Sequence, residues 1–259
     1  MSVNFDEETA RALERSYQTP EIANQRRHTL EVLALKPGDH AADMGCGPGF
    51  LVREMADMVG SEGRAIGIDT SPDMLALAAN RTDGMGQVEL VDAPLQNLPY
   101  DAGSFDALAC TQLLLFIEDI PQALAEMHRV LKPAGRIAVL ETDWRGVIVS
   151  AEDDSLTRRI FANWDAAAIS PNLPPRLKPL IETAGFDDVT VSAVPIINTS
   201  FNGNNFSTGM LRGVAKKARK SGAITEDEAE SWITDLEARD AAGAYFFCIN
   251  RFLFRAIKS

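Results

Sequence analysis

The densest chemistry in the chain lies in one heptapeptide, Asp43-Met44-Gly45-Cys46-Gly47-Pro48-Gly49. Glycines at this spacing let a ligand approach the main chain closely, and a helix opening behind them offers free N–H groups. The dinucleotide-binding loop G-x-G-x-x-G needs its third glycine five residues after the first. Here Gly49 follows Gly45 by four residues, an acid stands two residues before Gly45, and Pro48 stiffens the turn. A tight strand-to-helix turn without a ligand is the plain alternative. Two further acids, Asp69 and Asp92, close later apolar runs. One strand-end acid is commonly a helix cap, but three in series behind a glycine loop are hard to obtain as caps alone. Two side chains could move a proton: His28, in an amphipathic N-terminal segment, and Asp143, just past the fifth apolar run. A surface position for His28 and a solvated loop for Asp143 are their bland readings. His40 and His128 read as structural or solvated.

These residues need elements that bring strand ends together. Short apolar runs at 40–44, 64–69, 87–91, 105–110 and 136–141 read as strands. Between them lie helical patterns: one carries the stripe Phe50, Leu51, Met55 and Val59, one opens at Ser71-Pro72, and one covers 121–131. Serine suits an N-cap, and proline fits the first helical position because its missing N–H costs nothing there. Strands alternating with helices imply right-handed βαβ units, a parallel sheet and an α/β fold. Upstream, Leu13, Tyr17, Ile22, Leu30, Leu33 and Leu35 recur among charges as helix, broken at Thr19-Pro20. Downstream the pattern predicts a helix over 156–168, a second ending at Thr183, a strand over 189–197 and an aromatic-rich strand over 244–257. Thr225 and Glu228 form a capping-box signature. Helical material over about 205–242 therefore interrupts the last two strands as an insertion.

With these motifs in order, the chain resembles the class I S-adenosylmethionine-dependent methyltransferases over about residues 25–142. Ala42-Asp43-Met44-Gly45-Cys46-Gly47-Pro48-Gly49 resembles that family's first motif, with Asp43 near the methionyl amino end of the cofactor and Gly45, Gly47 and Gly49 along its edge. The resemblance implies that Asp69 holds the ribose hydroxyls, Met74 packs on adenine, Asp92 takes the adenine amino group and the N–H of Ala93 reaches a ring nitrogen. Phe105 through Thr111 and Gln112 resembles the fourth motif, and Leu131-Lys132-Pro133-Ala134-Gly135 the family's LKPGG turn. Tyr17 and Arg26 resemble lid and carboxylate-contact positions. The implied fold is a Rossmann-like, doubly wound, seven-stranded sheet whose last strand runs antiparallel. It would form a single domain over 1–259: a helical lid at 1–37, a cofactor-binding core at 38–142, and a substrate-side half at 143–259. The implied cofactor is S-adenosyl-L-methionine, whose cationic sulfonium suits the acids around it. The implied activity is metal-free, in-line methyl transfer to an O-, N- or C-nucleophile of a small molecule, aromatic or quinone-like. The alternatives are a nicotinamide-dependent oxidoreductase and a non-catalytic S-adenosylmethionine-binding protein.

The motif wording is closest to the ubiquinone/menaquinone-biosynthesis and arsenite methyltransferases. Arsenite chemistry needs converging thiolates, and Cys46, Cys110 and Cys248 are scattered without a pair. Cys110-Thr111-Gln112-Leu113 stands where nucleic-acid and amide-nitrogen methyltransferases carry Asn/Asp-Pro-Pro-Tyr/Phe. A net charge of −12 over 259 residues argues against nucleic acid and anionic membrane as partners. A polar, acidic N-terminus and the lack of a long apolar run predict a cytoplasmic protein. The basic run Arg212, Lys216, Lys217, Arg219 and Lys220 is balanced by Glu226, Asp227, Glu228 and Glu230, and reads as solvated surface. Phe201, Phe206, Met210, Leu211 and Trp232 either line an acceptor pocket or pack the cap onto the sheet. Trp144 is either an aromatic wall of that pocket or an anchor of the insertion.

Overall fold

A computed structural model describes residues 14–167 and 169–259. Leu13 of the expected lid and Ala168, the last residue of one expected helix, lie outside the described residues. The helices are α1 Pro20–Leu33, α2 Phe50–Val59, α3 Pro72–Arg81, α4 Ile120–Val130, α5 Asp154–Ala166, α6 Pro174–Thr183, α7 Phe206–Lys220 and α8 Glu226–Ala241. The strands are β1 His40–Met44, β2 Arg64–Asp69, β3 Val88–Asp92, β4 Phe105–Thr111, β5 Leu131–Thr142, β6 Ile148–Val149, β7 Phe186–Asn198 and β8 Phe247–Lys258.

The strands form one sheet in the order β3-β2-β1-β4-β5-β8-β6, with β7 also paired to β8. Pairs among β1 to β5 are parallel, and β8 runs antiparallel to β5, β6 and β7. The antiparallel last strand is as expected; the count is eight because the two-residue β6 joins β8 beyond the end of β5. β5 starts at Leu131 rather than 136: Leu131 pairs with Phe105, and a bulge carries Lys132 to Gly135 before the ladder resumes at Arg136.

One sheet face is floored with alanines: Ala65, Ala41 and Ala107 lie in one row across three strands, and Ala109 pairs with Ala138. These small side chains let Leu33 of α1 and Leu51, Val52, Met55 and Val59 of α2 pack close to the backbone. The opposite face uses large residues, Ile66, Ile68, Leu108, Ile137, Val139 and Phe254, against Leu124 and Met127 of α4 and Leu177 and Ile181 of α6.

A third apolar cluster belongs to the cap. Ile160, Leu211, Val214, Trp232 and Leu236 pack α5, α7 and α8 against Phe247 and Ile249 of β8. Trp232 Nε1 donates to Thr157 Oγ1 at 2.9 Å, so the buried indole keeps a partner. Local caps set the helix starts: Ser71 accepts from Met74 N, Asp119 from Gln122 N, and Thr225 and Glu228 form the reciprocal capping box. Phe201, Phe206, Leu211 and Trp232 are buried in this cap cluster and Met210 is packed beside it, so these residues join the cap to the sheet. Trp144 likewise packs edge-to-face on Trp164, 5.2 Å between ring centroids.

Candidate active site

The site grows from the end of β1. Asp43 sits inside the sheet, flanked in register by Gly67 and Ala109. It is 2% exposed, and its Oδ1 is buried without a hydrogen-bond partner. Burial, then the charge of Asp69, holds this carboxyl well above the usual carboxylate range. After Met44 the chain turns through Gly45, Gly47 and Gly49, all at positive φ. The amides of Gly45 and Cys46 both donate to the Ile68 carbonyl, at 2.7 and 2.9 Å, which ties the loop to β2. A Cβ at Gly49 would lie 2.7 Å from Ala78 Cβ and 2.8 Å from Ala78 Cα, so glycine is what lets α3 approach the loop.

Asp69 ends β2 and pairs in register with Asp92 at the end of β3, which places two carboxylates side by side at the sheet edge. Asp69 Oδ2 accepts from Gly47 N at 2.8 Å and its Oδ1 from Ser71 N at 2.9 Å. The remaining lone pairs of this carboxylate are the ones a diol could use. Asp92 is exposed, whereas Met74 and Ala93 are buried beneath this edge. Gln112, at φ 57, donates from its main-chain N to the Leu140 carbonyl at 2.8 Å and from Nε2 to the same oxygen at 3.2 Å. Thr111 ends β4 beside it, paired with Leu140. Cys46 and Cys110 are buried thiols whose pKa values burial and neighbouring carboxylates raise, so neither is a thiolate nucleophile.

A segment ahead of α1 covers the loop. Tyr17 Oη lies 3.5 Å from where a Gly47 Cβ would stand, and the Tyr17 ring stacks on Phe50 at 5.9 Å. Arg81 lies over the same Phe50 ring at 3.5 Å, donates to the Pro48 carbonyl, and pairs with Glu14 at 2.6 Å. Arg26 donates to the Tyr17 carbonyl at 2.7 Å and pairs with Glu54 at 2.8 Å. Burial and the nearby Asp43 push the Tyr17 hydroxyl up to about 12, so it is a neutral donor at pH 7. The structure therefore gives Tyr17 and Arg26 one shared position, a strap across the glycine loop.

The two proton-transfer candidates each hold a local main-chain partner. Asp143 stands at the strand edge one residue after β5, where its Oδ1 accepts from Arg145 N at 3.2 Å and caps a short 3₁₀ turn. His28 is not among the buried residues of α1, and its Nδ1 lies 2.8 Å from the Asn24 carbonyl of its own helix. Among the described residues, no hydrogen bond or ion pair joins it to the acids at the strand ends.

Two residues escaped the sequence reading. Glu141 is fully buried, its Oε1 accepting from Leu113 N at 3.1 Å and Leu114 N at 2.7 Å, its Oε2 without a partner. Burial pushes this carboxyl up to about 8 despite the amides. Arg251 of β8 donates to Gln25 of α1 and lies over the Phe206 ring at 4.9 Å. The available signal was a charge interrupting an apolar strand, in Val139-Leu140-Glu141 and in Ile249-Asn250-Arg251-Phe252.

A glycine loop whose acid keeps an unpartnered buried oxygen, with two further acids on adjacent strand ends, fits a ligand with an ammonium or sulfonium group and a diol. That edge of a doubly wound sheet with an antiparallel last strand defines a class I methyltransferase fold. The comparisons with known proteins agree. A methyltransferase domain family matches residues 42–139. The 2-phytyl-1,4-naphtoquinone methyltransferase of Thermosynechococcus vestitus is 32% identical over 179 residues, which are 63% of this chain and 79% of that protein. The demethylmenaquinone methyltransferase of Staphylococcus epidermidis is 36% identical over 117 residues, 45% of this chain and 48% of that one. Among solved structures, phosphoethanolamine N-methyltransferase 2 of Haemonchus contortus, in complex with S-adenosyl-L-methionine, superposes with a TM-score of 0.65. It shares 17% identity and aligns over 99% of this chain and 58% of that one, a likeness of fold. The chain belongs to the S-adenosylmethionine-dependent methyltransferases. It spans from about half to about two thirds of the length of the first curated relatives it matches.

Proposed function

We propose that this protein transfers a methyl group from S-adenosylmethionine to a small-molecule acceptor, aromatic or quinone-like. The observation that carries the reading is the unpartnered buried oxygen of Asp43 behind the glycine loop, with Asp69 and Asp92 paired in register beside it. Asp43 would face the amino end of the cofactor, Gly45, Gly47 and Gly49 its edge, Asp69 the ribose, and Met74, Asp92 and Ala93 the adenine, with Thr111 and Gln112 closing the floor. When bound, that cofactor supplies a methyl group already activated by its sulfonium. The chain's contribution is then mainly position: it holds the acceptor atom in line and keeps water out. Asp143 is the edge carboxylate placed to take a proton from a hydroxyl or carbon acid. His28, with Nδ1 on the Asn24 carbonyl, would act through Nε2. The quinone methyltransferases among the relatives favour a flat, ring-bearing acceptor over nucleic acid. Among the described residues no helix is long and apolar enough to cross a membrane.

Calorimetry with S-adenosylhomocysteine against NAD(H) tests the reading. Binding of S-adenosylhomocysteine alone is expected, and tight binding of NAD(H) alone would overturn it. Turnover of labelled S-adenosylmethionine against a panel of quinols and phenols then separates an enzyme from a binding protein.

A further inference from the structure

Arg251 is the most unusual charge in the molecule. It lies on β8, paired in register with Thr142 at the end of β5 and with Val194 of β7. It is 5% exposed, and among the described residues it makes no ion pair. One terminal nitrogen donates to the Gln25 amide oxygen, the guanidinium faces the Phe206 ring, and Nε is buried without a partner. A guanidinium removed from water normally meets a carboxylate, because one amide oxygen and one ring replace little of its hydration. The other cations above this edge obey that rule: Arg26 has Glu54 and Arg81 has Glu14.

Neighbouring groups do not neutralise it. Tyr17 and Glu141 are the groups whose charge it feels. Tyr17 is held protonated, and burial pushes the Glu141 carboxyl toward its neutral form while main-chain amides occupy its Oε1. Burial lowers Arg251 only to about 10, so its charge persists. Asp43, Asp69 and Arg251 all act on the Tyr17 hydroxyl, and Arg251 also faces Phe206, the first residue of α7.

We propose that Arg251 is the anchor for an anionic oxygen, carboxylate or phenolate, carried by the methyl acceptor. The inference rests on the transferase reading and names the acceptor's class. The unpartnered Nε–H and the planar guanidinium provide a directional donor set for such an oxygen. The Phe206 ring beside it gives an aromatic acceptor an apolar surface. The Asp69 and Asp92 carboxylates, paired at the sheet edge beside the glycine loop, disfavour an anion there.

Benzoate and its neutral isostere benzamide are the probes, titrated into the full-length protein with and without saturating S-adenosylhomocysteine. The expected result is at least about tenfold tighter binding of benzoate, with a downfield move of the Arg251 Nε–H resonance that benzamide does not produce. Arg251→Gln should abolish the preference and Arg251→Lys keep part of it, with S-adenosylhomocysteine affinity unchanged in both. Equal binding of the two probes, or binding of neither, overturns the proposal, and the wild-type comparison needs no variant to fold. Loss of S-adenosylhomocysteine affinity in Arg251→Gln also overturns it and assigns Arg251 to the cofactor's carboxylate. Failure of the wild-type protein to bind S-adenosylhomocysteine would instead sink the transferase reading. A phenolate source is distinguished from a carboxylate by repeating the titration with 4-nitrophenolate above its pKa.

Discussion

The main-chain N–H of Gly47 donates to the carboxylate of Asp69 at 2.8 Å, tying the glycine loop after β1 to the end of β2. One side chain thereby shapes the loop and offers its remaining lone pairs to the ligand. Asp69→Ala is expected to weaken S-adenosylhomocysteine binding by about 10- to 100-fold, the worth of hydrogen bonds to a charged acceptor. Asp92→Ala should weaken it too, without loosening the loop, since Asp92 is an exposed strand end. Isothermal titration of both variants checks this; unchanged affinity in both would remove these acids from the cofactor site.

The three glycines of the loop are not equivalent. At Gly49 a methyl group would overlap Ala78, side chain and backbone alike, and φ is +79. Gly49→Ala should cost about 2–4 kcal/mol from overpacking and left-handed strain together. At Gly47 the nearest atom to a new Cβ is Tyr17 Oη at 3.5 Å, so only the strain remains. Gly47→Ala should cost about 1–2 kcal/mol. Urea midpoints measured side by side give the order, and a larger loss at Gly47 would contradict the packing described.

Glu141 makes stability depend on pH in an unusual direction. Its carboxyl is raised to about 8 in the fold, whereas an unfolded glutamate titrates near 4.5. Between those values the folded state holds the extra proton, so this group's contribution is complete below the lower value and is lost as pH rises through the window. Asp43, also raised, acts with the same sign. Glu141→Gln retains an oxygen for the Leu113 and Leu114 amides and does not titrate. It is expected to flatten the fall in stability between about pH 5 and 8, which denaturant titrations at several pH values would reveal. An unaltered slope would show that Glu141 does not hold that proton.

Ala134 adopts φ 60 on the exposed bulge before Gly135. An L-residue there is strained by about 1–2 kcal/mol, partly offset by the greater freedom glycine has when unfolded. Ala134→Gly, which restores the LKPGG wording, should raise stability by about 0.5–1 kcal/mol. Thermal melts provide the check, and a destabilised variant would refute the strain.

Much of the fold was legible because its signals are local. Ser71-Pro72 and the Thr225–Glu228 box fix helix starts through hydrogen bonds spanning three residues. Alternation of short apolar strands with helices was enough to imply the parallel sheet. Strand ends were less legible: β7 begins at Phe186 and β5 at Leu131, because ladder pairing with Lys258 and Phe105 extends them past their apolar stretches. The fate of Phe201, Phe206 and Trp232 was likewise undecidable in sequence, since an aromatic side chain packs a cap or lines a pocket with the same pattern. Contacts with α5 and β8 put Phe201 and Trp232 in the packing of the cap, and Phe206 packs there while also facing Arg251.

The sequence alone determined the order of strand, glycine loop and acid, because each depends on neighbours a few residues apart. Only the tertiary structure decided which charges meet. Gln25 and Arg251 are 226 residues apart and share a hydrogen bond, and Glu14 reaches Arg81 across 67. Such pairings come from the sheet order and from the docking of α1 on its alanine face. Burial then sets their electrostatics, which no linear spacing encodes.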